Sequence, residues 1–393
     1  MDTNSVAAIL VLAASPCVGS GGTPPPVDPV VRTPACLSAR TQAPKLTQGL
    51  CPIITCGDNA PNAGDGLLFD ELDLSGGPNY AGVHLDTSRG VDRVTGRPLS
   101  ALLLGAGGVA SMPASIEIEG DKLAAYDASR RRVAGSDLIG TVIRFQQDPS
   151  GTGAGAQFEL RVACYNDTDV KFRAGAPDII PVYDLQARRV PAAHPNDPDA
   201  DWFEVCNQEL LDPDGAWTSR LPALVYRGDR YVYKPPGVPG GKRVDPSNDP
   251  ASGWSFLACN GSAASKMHLF RHTYAGGMRD VDPRTTLLKA ITADYCGDGV
   301  GTWTTPGHAL AFAIAGGGIS LPSPYAAGTT VEAIWGSGGA ACIDRPRWRS
   351  IGEITGPSPG CGHGFDACST GAPAPPTPSS WPGRGHVVTA NPP

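Results

Sequence analysis

The sequence predicts a β-rich protein: an antiparallel sandwich or barrel domain, followed by a smaller α+β domain stapled by disulfides. Three observations carry this expectation. Of 393 residues, 50 are Gly and 39 are Pro, a density of chain-breakers that suits short strands and turns and disfavours long helices. Ile116 and Ile118 alternate with Glu117 and Glu119, and Phe158, Leu160 and Val162 with Gln157, Glu159 and Arg161, which is the period of two of half-buried strands. The chain also holds 11 cysteines, most of them beyond the first strands.

Taken in order, residues 1–17 have the shape of a secretion signal: an apolar run over 6–14, then Ser15, Pro16 and Cys17. Asp2 stands where a basic residue is usual, so the start may lie upstream. Cys17 sits where a bacterial lipoprotein carries its lipid, although Pro16 is an unusual neighbour for that modification. Setting Cys17 aside leaves an even set able to pair completely: Cys36, Cys51, Cys56, Cys164, Cys206, Cys259, Cys296, Cys342, Cys361 and Cys368. Export and even count predict an oxidising compartment, at the outer membrane or cell surface if Cys17 is lipidated and otherwise periplasmic or extracellular. Spacing leaves the pairing open. No other stretch approaches the roughly 18 apolar residues of a membrane span, so a lipid anchor is the expected membrane contact.

Residues 18–61 read as a Pro/Gly-rich tether ending in a loop with Cys36, Cys51 and Cys56. Residues 62–204 read as a β-domain of hairpins turning at Gly120-Asp121, Gly135-Ser136 and Gly151-Thr152-Gly153. Residues 205–348 form the α+β domain. Leu224-Val225-Tyr226 and Tyr231-Val232-Tyr233 flank Gly228-Asp229 as a hairpin, and a strand runs over 254–259. Helices follow over 262–274 and 284–295, the second with Leu287, Leu288, Ile291 and Tyr295 on one face, before a last strand over 329–335. Residues 349–393 read as a disordered Pro-rich tail with one cysteine loop, from Cys361 to Cys368.

The net charge is −7, and apart from Arg130-Arg131-Arg132 and the region 345–349 the basic residues are scattered, which argues against nucleic acid. The arginine triplet reads as a solvated turn or edge. Asp294, Cys296 and Asp298 cluster around Gly297 and Gly299, with His268 and His308 as conceivable bases for a Cys nucleophile. The simpler reading makes Cys296 half of a disulfide and the aspartates turn-fixing acceptors; the sharper one makes Asp294 and Asp298 an acid/base or calcium pair. His268 and His272 have a zinc-compatible spacing, but Leu269 stands where a protease would carry Glu and no third ligand is apparent, which favours exposed or locally hydrogen-bonded rings. Cys361, His363 and Cys368 read as a disulfided loop before a metal site. Asp197, Asp199 and Asp201 begin like a calcium loop, yet Trp202 and Gln208 occupy the Gly and Glu positions. Gly105 to Gly108 is a turn lacking βαβ context, and Gly356-Pro357-Ser358-Pro359-Gly360 is linker despite its nucleophile-elbow letters. No metal site and no cofactor is expected.

Ala293-Asp294-Tyr295-Cys296 and the following Gly297-Asp298-Gly299, with Ala258-Cys259-Asn260 and Lys266 before and Glu332-Ala333, Trp335, Gly339-Ala340 and Cys342 after, resemble the ADYC-domain family over about 205–348. The resemblance implies an exported bacterial protein, often of lipoprotein type and common in myxobacteria, and implies no particular activity. Met267 and the neighbourhood of Leu287 depart from it, since relatives are expected to carry Cys at both; joint loss is what a bridge between those positions would produce. The reading that emerges is an envelope or surface protein acting as a binding or structural module for an envelope or extracellular component. The alternative is an exported hydrolase with its site in 294–308.

Overall fold

The computed structural model of the chain describes residues 71–104, 111–148, 155–167, 179–191, 201–206, 210–211, 217–218, 222–232, 239–251, 253–259, 262–299, 311–314, 330–347, 350–357, 360–368 and 387–391. Cys17, Cys36, Cys51, Cys56, His308, Asp197, Asp199 and the 105–108 turn lie outside these residues.

The strands in chain order are β1 (Glu71–Asp73), β2 (Val83–Leu85), β3 (Ala101–Leu104), β4 (Ser111–Glu119), β5 (Lys122–Asp127), β6 (Arg132–Ala134), β7 (Val142–Gln147), β8 (Ala156–Asn166), β9 (Val182–Val190) and β10 (Phe203–Glu204). They continue with β11 (Leu210–Leu211), β12 (Trp217–Thr218), β13 (Ala223–Arg227), β14 (Tyr231–Val232), β15 (Arg243–Val244), β16 (Trp254–Cys259), β17 (Ala311–Ile314), β18 (Thr330–Gly336), β19 (Gly339–Ile343) and β20 (Val387–Asn391). The helices are α1 (Ala263–Leu269), α2 (Val281–Thr292) and α3 (Ile351–Thr355). Among them no helix is long and apolar enough to cross a membrane.

One large antiparallel sheet runs β1-β16-β13-β9-β8-β7-β3-β4-β5-β6, with β2 on β7 and β10 on β9. The alternation read in the sequence sets its register: Ile116 and Ile118 are buried, and Phe158, Leu160 and Val162 of β8 join the same core. The sheet coils back on itself. Arg227 N–H donates to Gly120 O at 2.8 Å, and Leu123 N–H to the Tyr183 hydroxyl at 2.8 Å, which brings the β4–β5 hairpin against β13 and β9. The predicted β-rich class holds, in this strongly curled form.

The boundary expected at 204/205 does not divide the sheet. β13 and β16, from the C-terminal side of it, pair along 223–227 and 255–259, and β13 meets β9. Val225, Leu257 and Cys259 point into the core of the large sheet, while Tyr226, Phe256 and Ala258 form an outer cluster touched by Ala264 of α1. Burial on both faces explains the unbroken apolar run 223–226. The predicted hairpin between 224–226 and 231–233 does not form; β14 pairs instead with β15. Asp229 between them is fully buried against Arg284 of α2, with its other carboxylate oxygen taking the Tyr274 N–H, and this pins the turn away from β13.

The second core lies between α1, α2 and a four-stranded sheet ordered β17-β20-β18-β19. Here the expectation of a disordered tail fails. Residues 350–368 contribute α3, with a capping box on Ser350 and Glu353 and with Ile354 buried in this core, and 387–391 form a central strand. Gly356 ends that helix, so the supposed linker is a helix stop. The first predicted helix is shorter than expected, and the second keeps its length but starts and ends three residues earlier. Arg271 adopts φ +59 just after α1, and Ala293 adopts φ +51 at the end of α2, each leaving the helical region.

Candidate functional site

The tetrapeptide begins where α2 stops. Ala293 takes the left-handed position that usually belongs to Gly, and Asp294 N–H closes the helix on Lys289 O at 2.9 Å. Asp294 is fully buried; its Oδ2 accepts the Lys289 ammonium at 2.8 Å and Gly299 N–H at 2.9 Å, while Lys289 Nζ also donates to Gly297 O at 2.8 Å. The loop 294–299 is thus tied around one charge pair. Asp294 Oδ1 has no hydrogen-bond partner among the described residues.

Tyr295 points into the second core. Its ring stacks on Trp335 at 4.9 Å between centroids, an arrangement worth about 0.5–1.5 kcal/mol beyond the area buried, and its hydroxyl donates to Glu332. Burial first, then the Glu332 carboxylate, pushes that hydroxyl far above the ordinary tyrosine range. Glu332 Oε1 accepts Arg347 Nε at 2.6 Å and Oε2 accepts Nη2 at 2.8 Å. Arg347 in turn donates to Ala290 O at 2.8 Å and Ile291 O at 3.4 Å, carbonyls in the last turn of α2. Burial opposes the Arg347 charge, and the facing Glu332 carboxylate outweighs it, holding the guanidinium above its usual value.

Cys296 is bonded to Cys361, Cys342 to Cys368 and Cys206 to Cys259. Cys164 is disulfide-bonded as well. The sulfur of Cys296 therefore lacks the thiolate that nucleophilic attack needs. Gly297, at φ +71, lies so close to Gly338 that a Cβ would fall 1.7 Å from the Gly338 carbonyl oxygen. Ala340 N–H donates to Tyr295 O at 2.9 Å, so the β18–β19 turn sits on the tetrapeptide. Asp298 is partly exposed and its carbonyl accepts Gly240 N–H at 2.6 Å. Neighbouring Lys242 is lowered by burial, against the pull of Asp294 and Asp298.

His268 and His272 are buried rather than solvent-exposed. His268 Nδ1 meets Thr273 Oγ1 at 2.8 Å and its ring stacks on Tyr226, while His272 Nδ1 meets Phe270 O at 2.9 Å. α1 ends at Leu269, so the two rings do not share the face that a zinc pair requires. Among the described residues no group of three or more His, Cys, Asp or Glu is arranged to hold a metal. Cys361 and Cys368 are in disulfides, and His363 turns its Nδ1 to Cys361 O. Each member of the arginine triplet has a carboxylate partner: Arg130 with Asp92, Arg131 with Asp127, Arg132 with Glu119. Trp202, beside Asp201, carries the guanidinium groups of Arg161 and Arg188 over its ring, 4.4 and 4.5 Å from the centroid. Lys289 escaped sequence reading, and Arg347 stood out only as part of the basic region 345–349, because neither residue bears a mark of its buried partner.

A family model described as the ADYC domain matches residues 135–349, starting well before the 205 expected from the motifs. No curated protein and no solved structure matches the chain.

Proposed function

The chain belongs to the ADYC-domain family, and on that premise we propose that it is an exported binding or structural module whose tetrapeptide builds the fold and performs no chemistry. One observation carries the reading: all four residues are engaged inside the protein. Ala293 ends α2, Asp294 neutralises Lys289, Tyr295 joins the Glu332–Arg347 pair and Cys296 anchors residues 350–368. A hydrolase that used the tetrapeptide would need at least one of its residues turned towards a substrate.

The disulfides suit an oxidising, exported location. The apolar segment 6–14 supports export by a signal of the secretory type, with Cys17 available for a lipid, and a cell-envelope or extracellular component is the partner this placement favours. The test is to alkylate the unreduced, exported protein and map its linked peptides by mass spectrometry. We expect a Cys296–Cys361 peptide. A Cys296 that alkylates rapidly in the folded chain would overturn the reading and put a nucleophile in its place.

A further inference from the structure

The C-terminal strand is held differently from everything around it. β20 lies in the middle of its sheet, antiparallel to β17 through Ala311 to Ile314 and to β18 through Thr330 to Trp335, and it separates those two strands in the sheet order. Both its faces are buried. Val387 packs into the core below the sheet, Val388 packs with Val331, Ile334 and Cys368 on the other side, and Thr389 Oγ1 accepts the Trp335 indole N–H at 2.8 Å. Asn391 Nδ2 closes the end on Arg345 O at 2.8 Å.

No covalent bond secures this strand, because the last half-cystine of the chain is Cys368. Cys368 lies beside Val388, yet residues 369–386 intervene in the sequence, five of them proline. A connector of that length spans about 60 Å when extended. β20 is therefore seated by main-chain pairing on two sides and by alternating side chains, as in strand addition. A second copy offers the same five residues, so exchange between copies loses no contact and forms a closed pair.

We propose that the groove between β17 and β18 is a strand-receiving site that takes residues 387–391 of a second copy in exchange for its own. The groove lies outside the argument about the tetrapeptide. In the first test a labelled peptide of residues 384–393 is titrated onto the full chain and onto full-length V388D, whose own strand carries a charge into the buried position. V388D should take up the wild-type peptide at least tenfold more tightly than the wild-type chain does, and a peptide carrying the same V388D change should not be taken up by either. Absence of uptake by folded V388D overturns the proposal. Should V388D not fold, isotopically light and heavy wild-type chains are mixed, passed through mild urea and back, and weighed by native mass spectrometry. Mixed pairs are the expected result; their absence at every concentration where the chain stays soluble overturns the proposal equally.

Discussion

Replacing Glu332 by glutamine keeps the side-chain volume and removes the charge that balances Arg347. The structure fixes what is lost. Glu332 accepts two guanidinium bonds, at 2.6 and 2.8 Å, and the Tyr295 hydroxyl, and the side chains of Arg347 and Glu332 are 3% and 0% exposed. Removing one member of a buried pair costs about 3–5 kcal/mol, because the other charge stays in the interior without compensation. Arg347 keeps the Ala290 and Ile291 carbonyls, so we expect the lower end, about 3 kcal/mol. Urea unfolding without reductant, followed by tryptophan fluorescence, reads the change, since Trp335 stacks on Tyr295. The double change E332L/R347M should recover only part of the loss, as it replaces the pair by apolar packing but takes the guanidinium donor away from two α2 carbonyls. A cost below about 1 kcal/mol for E332Q, the worth of an exposed pair, would refute the reasoning.

Three further outcomes follow from the same geometry. Cys296–Cys361 closes a sequence separation of 65 and Cys342–Cys368 one of 26, so paired Ser substitutions should cost about 4 and about 3.5 kcal/mol by loop entropy, and a reversed order in chemical unfolding would contradict that account. G297A places a Cβ against the Gly338 carbonyl at a left-handed φ and should abolish soluble, oxidised protein, whereas G336A, where a Cβ meets nothing, should change stability by under about 0.5 kcal/mol. Burial lowers His268 to about 3, so the stability gained by keeping it neutral is present above the unfolded value near 6.5 and lost as the pH falls through that range. Asp229, raised by burial to about 6, titrates in the opposite sense, so the comparison must be made with H268F: relative to that variant the wild type should lose about 1.4 kcal/mol per pH unit below about pH 6, and a constant difference would exclude the mechanism.

The strands at 116–119 and 157–162 were legible because a half-buried sheet writes its period directly into the sequence. So were the existence of α1 and α2 and the bonding of Cys296 in a disulfide. Pairing between distant segments was not: nothing local in 223–227 announces that it lies between β9 and β16. β20 was missed because five residues between a Pro-rich stretch and Pro392-Pro393 have the composition of a tail, and only the groove between β17 and β18 makes them a strand. Helix ends were displaced at Arg271 and Ala293, residues whose left-handed backbone is imposed by packing and has no signature like Gly. Of the site, the tetrapeptide stood out by resemblance, but the roles of Lys289 and Arg347 as its partners did not, since burial alone turns an ordinary basic residue into half of an ion pair.

The two bridges between 296–342 and 361–368 also impose an order of events. As the chain emerges N-terminus first, Cys206 can meet Cys259 early, but Cys296 and Cys342 both appear before either proper partner exists. During that interval the two thiols are available to each other, and a bond between them would have to be reshuffled once Cys361 and Cys368 arrive. The helical half can therefore mature only after the last of these cysteines is out, and its rate of maturation should respond to a thiol–disulfide isomerase.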